Sequence, residues 1–237
     1  MKEFFDAIGF VRINGLISPH YNGSVPGNVA IPLFIVCAIV GYLLGSINFA
    51  VLISKYKYKE DVRQFGSGNG GTTNMMRNYG TGSAVLTLLG DMLKAFVAIL
   101  IATLLLGLYG GYMAGLFCVV GHCFPVFCKF KGGKGVATTA MVVLCLSPLT
   151  FLVLFAIFAV LVIGYKYISL ASIMCMLMYP VILNMIDGPM FTVHAIFIGL
   201  LVIFMHRENI KRLLNRTESK FSFKKHGDRN KKEEENS

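Results

Sequence analysis

Apolar residues do not alternate with polar ones along this chain; they come in long runs separated by short clusters of glycine and charge. A bilayer core of about 30 Å needs roughly 20 apolar residues in helical conformation. Residues 31–54, 83–106, 108–128, 168–186 and the shorter 190–205 each predict one spanning helix. The stretch 136–165 carries no charge and is interrupted only at Ser147-Pro148, so it is long for one span and short for two. Charge placement decides between them, because Lys and Arg beside spans favour the cytoplasmic side. With one crossing, the tail from His206, which holds ten Lys and Arg, falls opposite the basic loops 55–77 and 129–134. With a turn at Ser147-Pro148, those loops, Lys166 and the tail share one side, and the opposite turns "GLYGGY", "SP" and "IDGP" hold no Lys or Arg. The expectation is an all-α integral membrane protein of about seven helices, some short or broken. Its amino terminus lies outside, its carboxyl terminus in the cytoplasm, and re-entrant-like glycine-rich loops face the cytoplasm.

Composition agrees. The chain has 237 residues, 55% hydrophobic and 14% charged, with a mean hydropathy of +0.67, outside the range of soluble domains. Residues 1–30 read as an interfacial leader without a signal-peptide layout, 31–218 as one transmembrane domain, and 219–237 as a charged cytoplasmic tail. The net charge of +10 sits largely beside membrane spans, so anionic headgroups and phosphorylated substrates are the expected partners, and nucleic acid is not. Six cysteines without a CxxC pair read as buried reduced thiols. Carboxylates are too few and scattered for a metal site, and no obligatory protein partner is implied.

Chemistry concentrates in the basic loops. In "RQFGSGNGGTTNMMRNYGTG", six of the seventeen residues 66–82 are glycine, too many for an ordinary helix or strand. Gly66, Gly68 and Gly71 let backbone N–H groups converge on an anion. Ser67, Asn69, Thr72, Thr73 and Asn74 add side-chain partners, while Arg63 and Arg77 supply charge. In "KGGKGVATT", Lys134 stands beside Gly132 and Gly133 at the mouth of the next span, but Lys134 is followed by Gly135 and not by the Ser or Thr of a nucleotide-binding P-loop. Ser46 lies in the first span, Ser169 and Ser172 open the sixth, and Asp91 and Lys94 share a helix face at i, i+3 inside the membrane. In "HRENIKRLLNRTE", His206 and Asn209 leave the last span one turn apart, and Glu208 stands four residues before Arg212. No Ser-His-Asp set can be assembled, which leaves positioning and charge stabilisation on phosphorylated substrates.

These blocks, with "GSIN", "DMLK", "GHCFPVFCKFKGGKGVATT" and "YISLASI", resemble the bacterial acyl-phosphate-dependent glycerol-3-phosphate acyltransferase family, in order, from about residue 31 to 218. The resemblance implies transfer of a fatty acyl group from acyl-phosphate to the sn-1 hydroxyl of glycerol 3-phosphate, giving lysophosphatidic acid and phosphate, with no cofactor. It places the enzyme in the bacterial inner or plasma membrane, with its site on the cytoplasmic face. It implies phosphate binding by Arg63, Lys134 and the glycine amides, and orientation of hydroxyl and carbonyl by Ser46, Ser169 or Ser172, His206 and Asn209. No histidine is followed by Asp at the HxxxxD spacing of coenzyme-A- and carrier-protein-dependent acyltransferases. The chain departs from the family pattern at Asn48 (usually proline), Gly70 (usually aliphatic), Thr72 (usually alanine) and Arg216 (usually glycine). A transporter for a phosphorylated solute is the main competing class; it requires a polar path to the outer face.

Overall fold

The computed structural model describes residues 27–221, and no strand occurs among them. The expected leader, apart from its last few residues, and the end of the tail lie outside the described residues. The helices are α1 (Gly27–Gly45), α2 (Phe49–Tyr58), α3 (Thr72–Cys123), α4 (Val136–Leu146), α5 (Pro148–Tyr165), α6 (Ile168–Asp187), α7 (Thr192–Met205) and α8 (Arg207–Leu214). Stretches 29–58, 148–165 and 168–187 are each long and apolar enough to cross a membrane; 189–205 and α8, bent by 58° to one another, are so only when taken together.

The helical run 72–128 has 57 residues, about 85 Å if straight and far beyond a bilayer. It reverses at Leu106-Gly107, where Gly107 takes φ +62, a region open to glycine at little cost. Gly110 then lies against Ala102 and Gly111 against Ile99 and Thr103, contacts that a straight helix cannot make. Two limbs result. The amino-terminal turns, 72–79, break away at a second left-handed glycine, Gly80. The second half of the first glycine-rich stretch is therefore helix, a correction to the expected loop across 66–82.

The first expected span, 31–54, is also interrupted. α1 ends at Gly45, and α2 restarts where Asn48 Oδ1 accepts the Val51 N–H at 3.0 Å. α1 packs on the second limb of α3 through Gly41 and Gly45, whose missing side chains let the backbones at Ala114 and Cys118 approach. This is small-residue packing four apart, which suits helices in lipid.

The chain reverses at Ser147 as expected. Gly135 lies against Val119, Cys123 and Val202, whereas Leu146 lies against Gly111 and Gly115, so α4 runs back along the second limb of α3. α5 returns beside α6: Ser147 Oγ donates to Asp187 Oδ2, and Cys175 Sγ reaches the Leu154 carbonyl at 3.4 Å. The expected count of about seven helical segments is approximate, since α4, at 11 residues and about 16 Å, is shorter than a bilayer core. All basic loops gather at one end. Arg63 reaches the carbonyls of Cys128 and Lys131, Lys134 reaches Asn209, and Phe221 N–H reaches the Lys166 carbonyl. The opposite end joins Tyr109 to Met190 and stacks Tyr112 on Phe191. The core between the ends is built from Ile99, Val119, Val142, Leu146, Tyr179, Ile198 and Val202, all 2% exposed or less. α5 instead turns Val160 and Ile163 outward, as a lipid-facing helix does. All six thiols are free.

Candidate functional site

The two glycine-rich stretches meet through a hydrogen bond from Gly70 N–H to the Gly132 carbonyl, 3.3 Å. This joins the amino terminus of α3 to that of α4, and each such terminus carries unpaired N–H groups and a partial positive charge. At α4, the N–H groups of Gly132, Lys134 and Gly135 find no acceptor among the described residues, while Gly133 N–H is bound to the His122 carbonyl at 3.1 Å. At α3, the Thr72 and Thr73 amides are likewise open, and the buried Thr72 Oγ1 has no partner. Each terminus has a cation. Lys134 stands before α4, and Arg77 projects from the first turns of α3, exposed and without a hydrogen-bond partner among the described residues.

Lys134 opens a chain of contacts across the last span. Its Nζ donates to Asn209 Oδ1 at 2.5 Å, and Asn209 Nδ2 donates to Glu218 Oε1 at 2.7 Å. Ser169 Oγ donates to the same oxygen at 2.9 Å, and Arg212 Nε pairs with Glu218 Oε2 at 2.7 Å. An ammonium has three protons, so Lys134 keeps two for a ligand. Burial lowers the Lys134 pKa to about 8; neighbouring Arg212 and Arg77 push the same way and Glu218 opposes them. Burial alone would raise the Glu218 carboxyl, but hydrogen bonds from Arg212, Asn209 and Ser169 hold it below its ordinary value. His206, 3% exposed, donates from Nδ1 to the Val202 carbonyl at 2.7 Å, since a carbonyl can only accept. Its Nε2 is left as an acceptor.

Several residues expected to bind phosphate are used structurally. Arg63 spends four of its five N–H groups on Asp61 and on the carbonyls of Cys128 and Lys131, clamping the first loop to the second. That hydrogen bond holds the Asp61 carboxyl below its usual range. Asn74, 2% exposed, is saturated: Oδ1 accepts from Ser67 N–H and Asn78 Nδ2, and Nδ2 donates to the carbonyls of Val62 and Phe65. The amides of Ser67, Gly68, Gly70 and Gly71 are engaged within the loops. Gly66 and Gly68, both left-handed, shape this turn, and Asn69 accepts from Gly71 N–H through its carbonyl. The first loop is thus a scaffold, and the open amides lie at the helix start after it, where Thr73 lies. Ser172 Oγ bonds back to the Ile168 carbonyl, and Ser46 Oγ to the Tyr42 carbonyl, as span serines commonly do. Ser46 also accepts Val126 N–H at 3.4 Å and lines a cavity of about 580 Å³ with Asn48, Leu52, Lys55, Tyr56 and Phe127. The i, i+4 pairing of Glu208 with Arg212 does not form; Glu208 pairs with Lys211 and Arg212 with Glu218. Glu218, accepting from Asn209, Ser169 and Arg212, is the hub of the network.

Three departures from the family pattern have a place here. A side chain at Gly70 would strike Asn48, whose Nδ2 donates to the Gly70 carbonyl at 3.1 Å, so Asn48 and Gly70 accommodate each other. Arg216 takes φ +57, the left-handed conformation glycine adopts cheaply, in the turn that delivers Glu218. Non-glycine residues there cost roughly 1 kcal/mol. Arg216→Gly should therefore stabilise the protein by up to about 1 kcal/mol, read as a higher melting temperature with unchanged KM.

Residues 35–216 match the glycerol-3-phosphate acyltransferase family. The chain belongs to that family. It is 43% identical over 192 residues to the glycerol-3-phosphate acyltransferase of Thermoanaerobacter pseudethanolicus, covering 80% of this chain and 96% of the relative. It is 46% identical over 187 residues to that of Neisseria meningitidis serogroup B, covering 76% and 94%. The fold is similar to the crystal structure of PlsY (YgiH), an integral membrane glycerol 3-phosphate acyltransferase, in its glycerol 3-phosphate form, at TM-score 0.76 and 41% identity over 80% of this chain and 96% of that one. The lysophosphatidic acid form of PlsY matches at TM-score 0.73 and 39% identity, over 81% and 97%. This family member is accordingly a multi-pass membrane protein of phospholipid biosynthesis.

Proposed function

We propose that the protein transfers a fatty acyl group from acyl-phosphate to the sn-1 hydroxyl of glycerol 3-phosphate, releasing lysophosphatidic acid and inorganic phosphate. It does so at the cytoplasmic face of the bacterial inner or plasma membrane, with the amino terminus outside and the carboxyl terminus inside. The observation that carries the reading is the pair of open helix amino termini, at Thr72 and Val136, tied together by Gly70 and Gly132 and each given a cation. Each substrate of this reaction carries one phosphate, and a helix start with free amides is an anion site. The shared location of all basic loops supports the cytoplasmic assignment.

In this reading Lys134 and the Gly132, Lys134 and Gly135 amides hold one phosphate, and Arg77 with the Thr72 and Thr73 amides the other. Asn209, held by Glu218, which Ser169 and Arg212 hold in turn, keeps the Lys134 ammonium in place, and His206 Nε2 accepts from the neighbouring hydroxyl of glycerol 3-phosphate, orienting the acceptor while leaving its own proton free. The hydroxyl oxygen attacks the acyl carbonyl carbon, the carbonyl oxygen carries the charge of the tetrahedral intermediate, and the bond from carbon to the phosphate oxygen breaks. The departing phosphate takes the hydroxyl proton, so no side chain must act as general base. The cavity beside Ser46, mostly apolar and fringed by Lys55 and Lys59, suits the start of an acyl chain with its anionic head at the membrane boundary.

Purified protein in lipid, given palmitoyl phosphate and glycerol 3-phosphate without coenzyme A, carrier protein or metal, should release phosphate and lysophosphatidic acid in a one-to-one ratio. Product formed only from an acyl thioester would overturn the donor assignment. Folded protein that makes no product from any donor would overturn the reaction itself and favour the transport reading.

A further inference from the structure

Beneath the two helix starts, inside the membrane region, Asp91, Lys94 and His122 form a cluster with side chains only 2–4% exposed. Lys94 Nζ lies 2.6 Å from the Ile47 carbonyl, 3.0 Å from His122 Nδ1 and 2.9 Å from Asp91 Oδ1. Two ammonium protons are taken by the Ile47 carbonyl and His122 Nδ1, while Asp91 Oδ1 is held by charge alone and has no hydrogen-bond partner among the described residues. An ammonium only donates, so His122 Nδ1 accepts and the ring proton resides on Nε2. The alternative, Nδ1–H donating to Asp91 Oδ1 at 3.4 Å, would turn a second donor toward Lys94.

The rest of His122 faces the α4 loop. Its carbonyl accepts Gly133 N–H at 3.1 Å. The Nε2 edge of its ring occupies the place where a Gly133 side chain would be, with the ring carbon and the Gly70 carbonyl 2.8 and 2.9 Å from that point. Lys94 meanwhile grips Ile47, next to Asn48, which holds Gly70. One buried cluster therefore touches the α1–α2 break and both glycine stretches. A buried ionic cluster is costly to keep in a membrane protein without a role.

We propose that His122 is a positioning residue of the acyltransferase, oriented by Lys94 and Asp91, which acts through Gly133 to set the curvature of the phosphate-holding loop 132–135. The inference rests on the phosphate reading of that loop but not on the identity of the acyl donor.

The test uses the full chain in lipid nanodiscs, with inorganic phosphate as competitive inhibitor and glycerol 3-phosphate as varied substrate. His122→Asn keeps an acceptor for Lys94 but withdraws the ring edge from Gly133. It should retain the melting temperature while raising the phosphate inhibition constant or the KM for glycerol 3-phosphate about tenfold. Gly133→Ala, damaging alone, should add clearly less in the His122→Asn background, because the ring it would strike first is gone and only the Gly70 carbonyl, 2.9 Å from the added carbon, still opposes it. Mutations without a shared contact would instead multiply. Multiplied losses, unchanged phosphate and substrate constants, or failure of His122→Asn to fold would each overturn the proposal. Lys134→Ala separates the two readings: if it weakens phosphate binding and His122→Asn does not, only the role of His122 is lost. If neither weakens it, the phosphate loop is lost as well.

Discussion

Lys134→Ala is expected to lower kcat/KM by roughly 100- to 1,000-fold, the usual loss when one preorganised charge or donor is removed from a site that works by electrostatic stabilisation. The fold should survive, because Lys134 is held by one neutral contact, Asn209, and not by a buried ion pair. Its lowered pKa, about 8 through burial first and the nearby Arg212 and Arg77 next, adds a pH signature. The charged form binds phosphate, and it is present below that value and lost as pH rises through it. Phosphate affinity and turnover should fall above about pH 8, well below the 10.5 of an ordinary lysine. Lys134→Arg stays protonated across this range. It should retain part of the activity and lose the alkaline decline. A decline that persists unchanged in the arginine variant would assign it to another group.

Gly133→Ala is expected to cost about 100-fold in kcat/KM, some 2.7 kcal/mol of transition-state stabilisation. The added methyl would meet the His122 ring and the Gly70 carbonyl, and neither can retreat. The ring is fixed by Lys94, and the carbonyl is backbone held by Asn48. The loop must move instead, and a displacement near 1 Å at a phosphate-holding segment is enough for losses of this order. Gly164→Ala, with open space around the added methyl, is the control and should leave kinetics unchanged. Comparable losses in both variants would mean that the effect comes from general helix packing and not from the loop.

The candidate site was partly legible in advance. Lys134, Asn209, Ser169 and His206 could be nominated because charge and hydrogen-bonding groups at the ends of apolar spans have few structural uses. Lys134 and Asn209, 75 positions apart, do bond, and Ser169 joins them through Glu218. Arg63 and Asn74 looked equally suited to phosphate, yet the structure spends them on Asp61 and on loop carbonyls. Composition shows which groups can donate, whereas their actual acceptors are set by how distant segments meet.

The sequence by itself determined the class: apolar runs too long for a soluble core, a turn at Ser147-Pro148, and basic loops that can share one side only if the chain crosses about seven times. These follow from hydrophobic length and charge, which are properties of local segments and need no tertiary contacts. Tertiary structure alone decided that Gly80 and Gly107 bend one helical run into limbs, that Glu218 is the hub, and that open amides are left at the start of α3 and in the turn 132–135 leading into α4. The reason is physical. A glycine permits both helix and turn, and a donor remains available to a ligand only if no carbonyl elsewhere in the chain folds into reach of it.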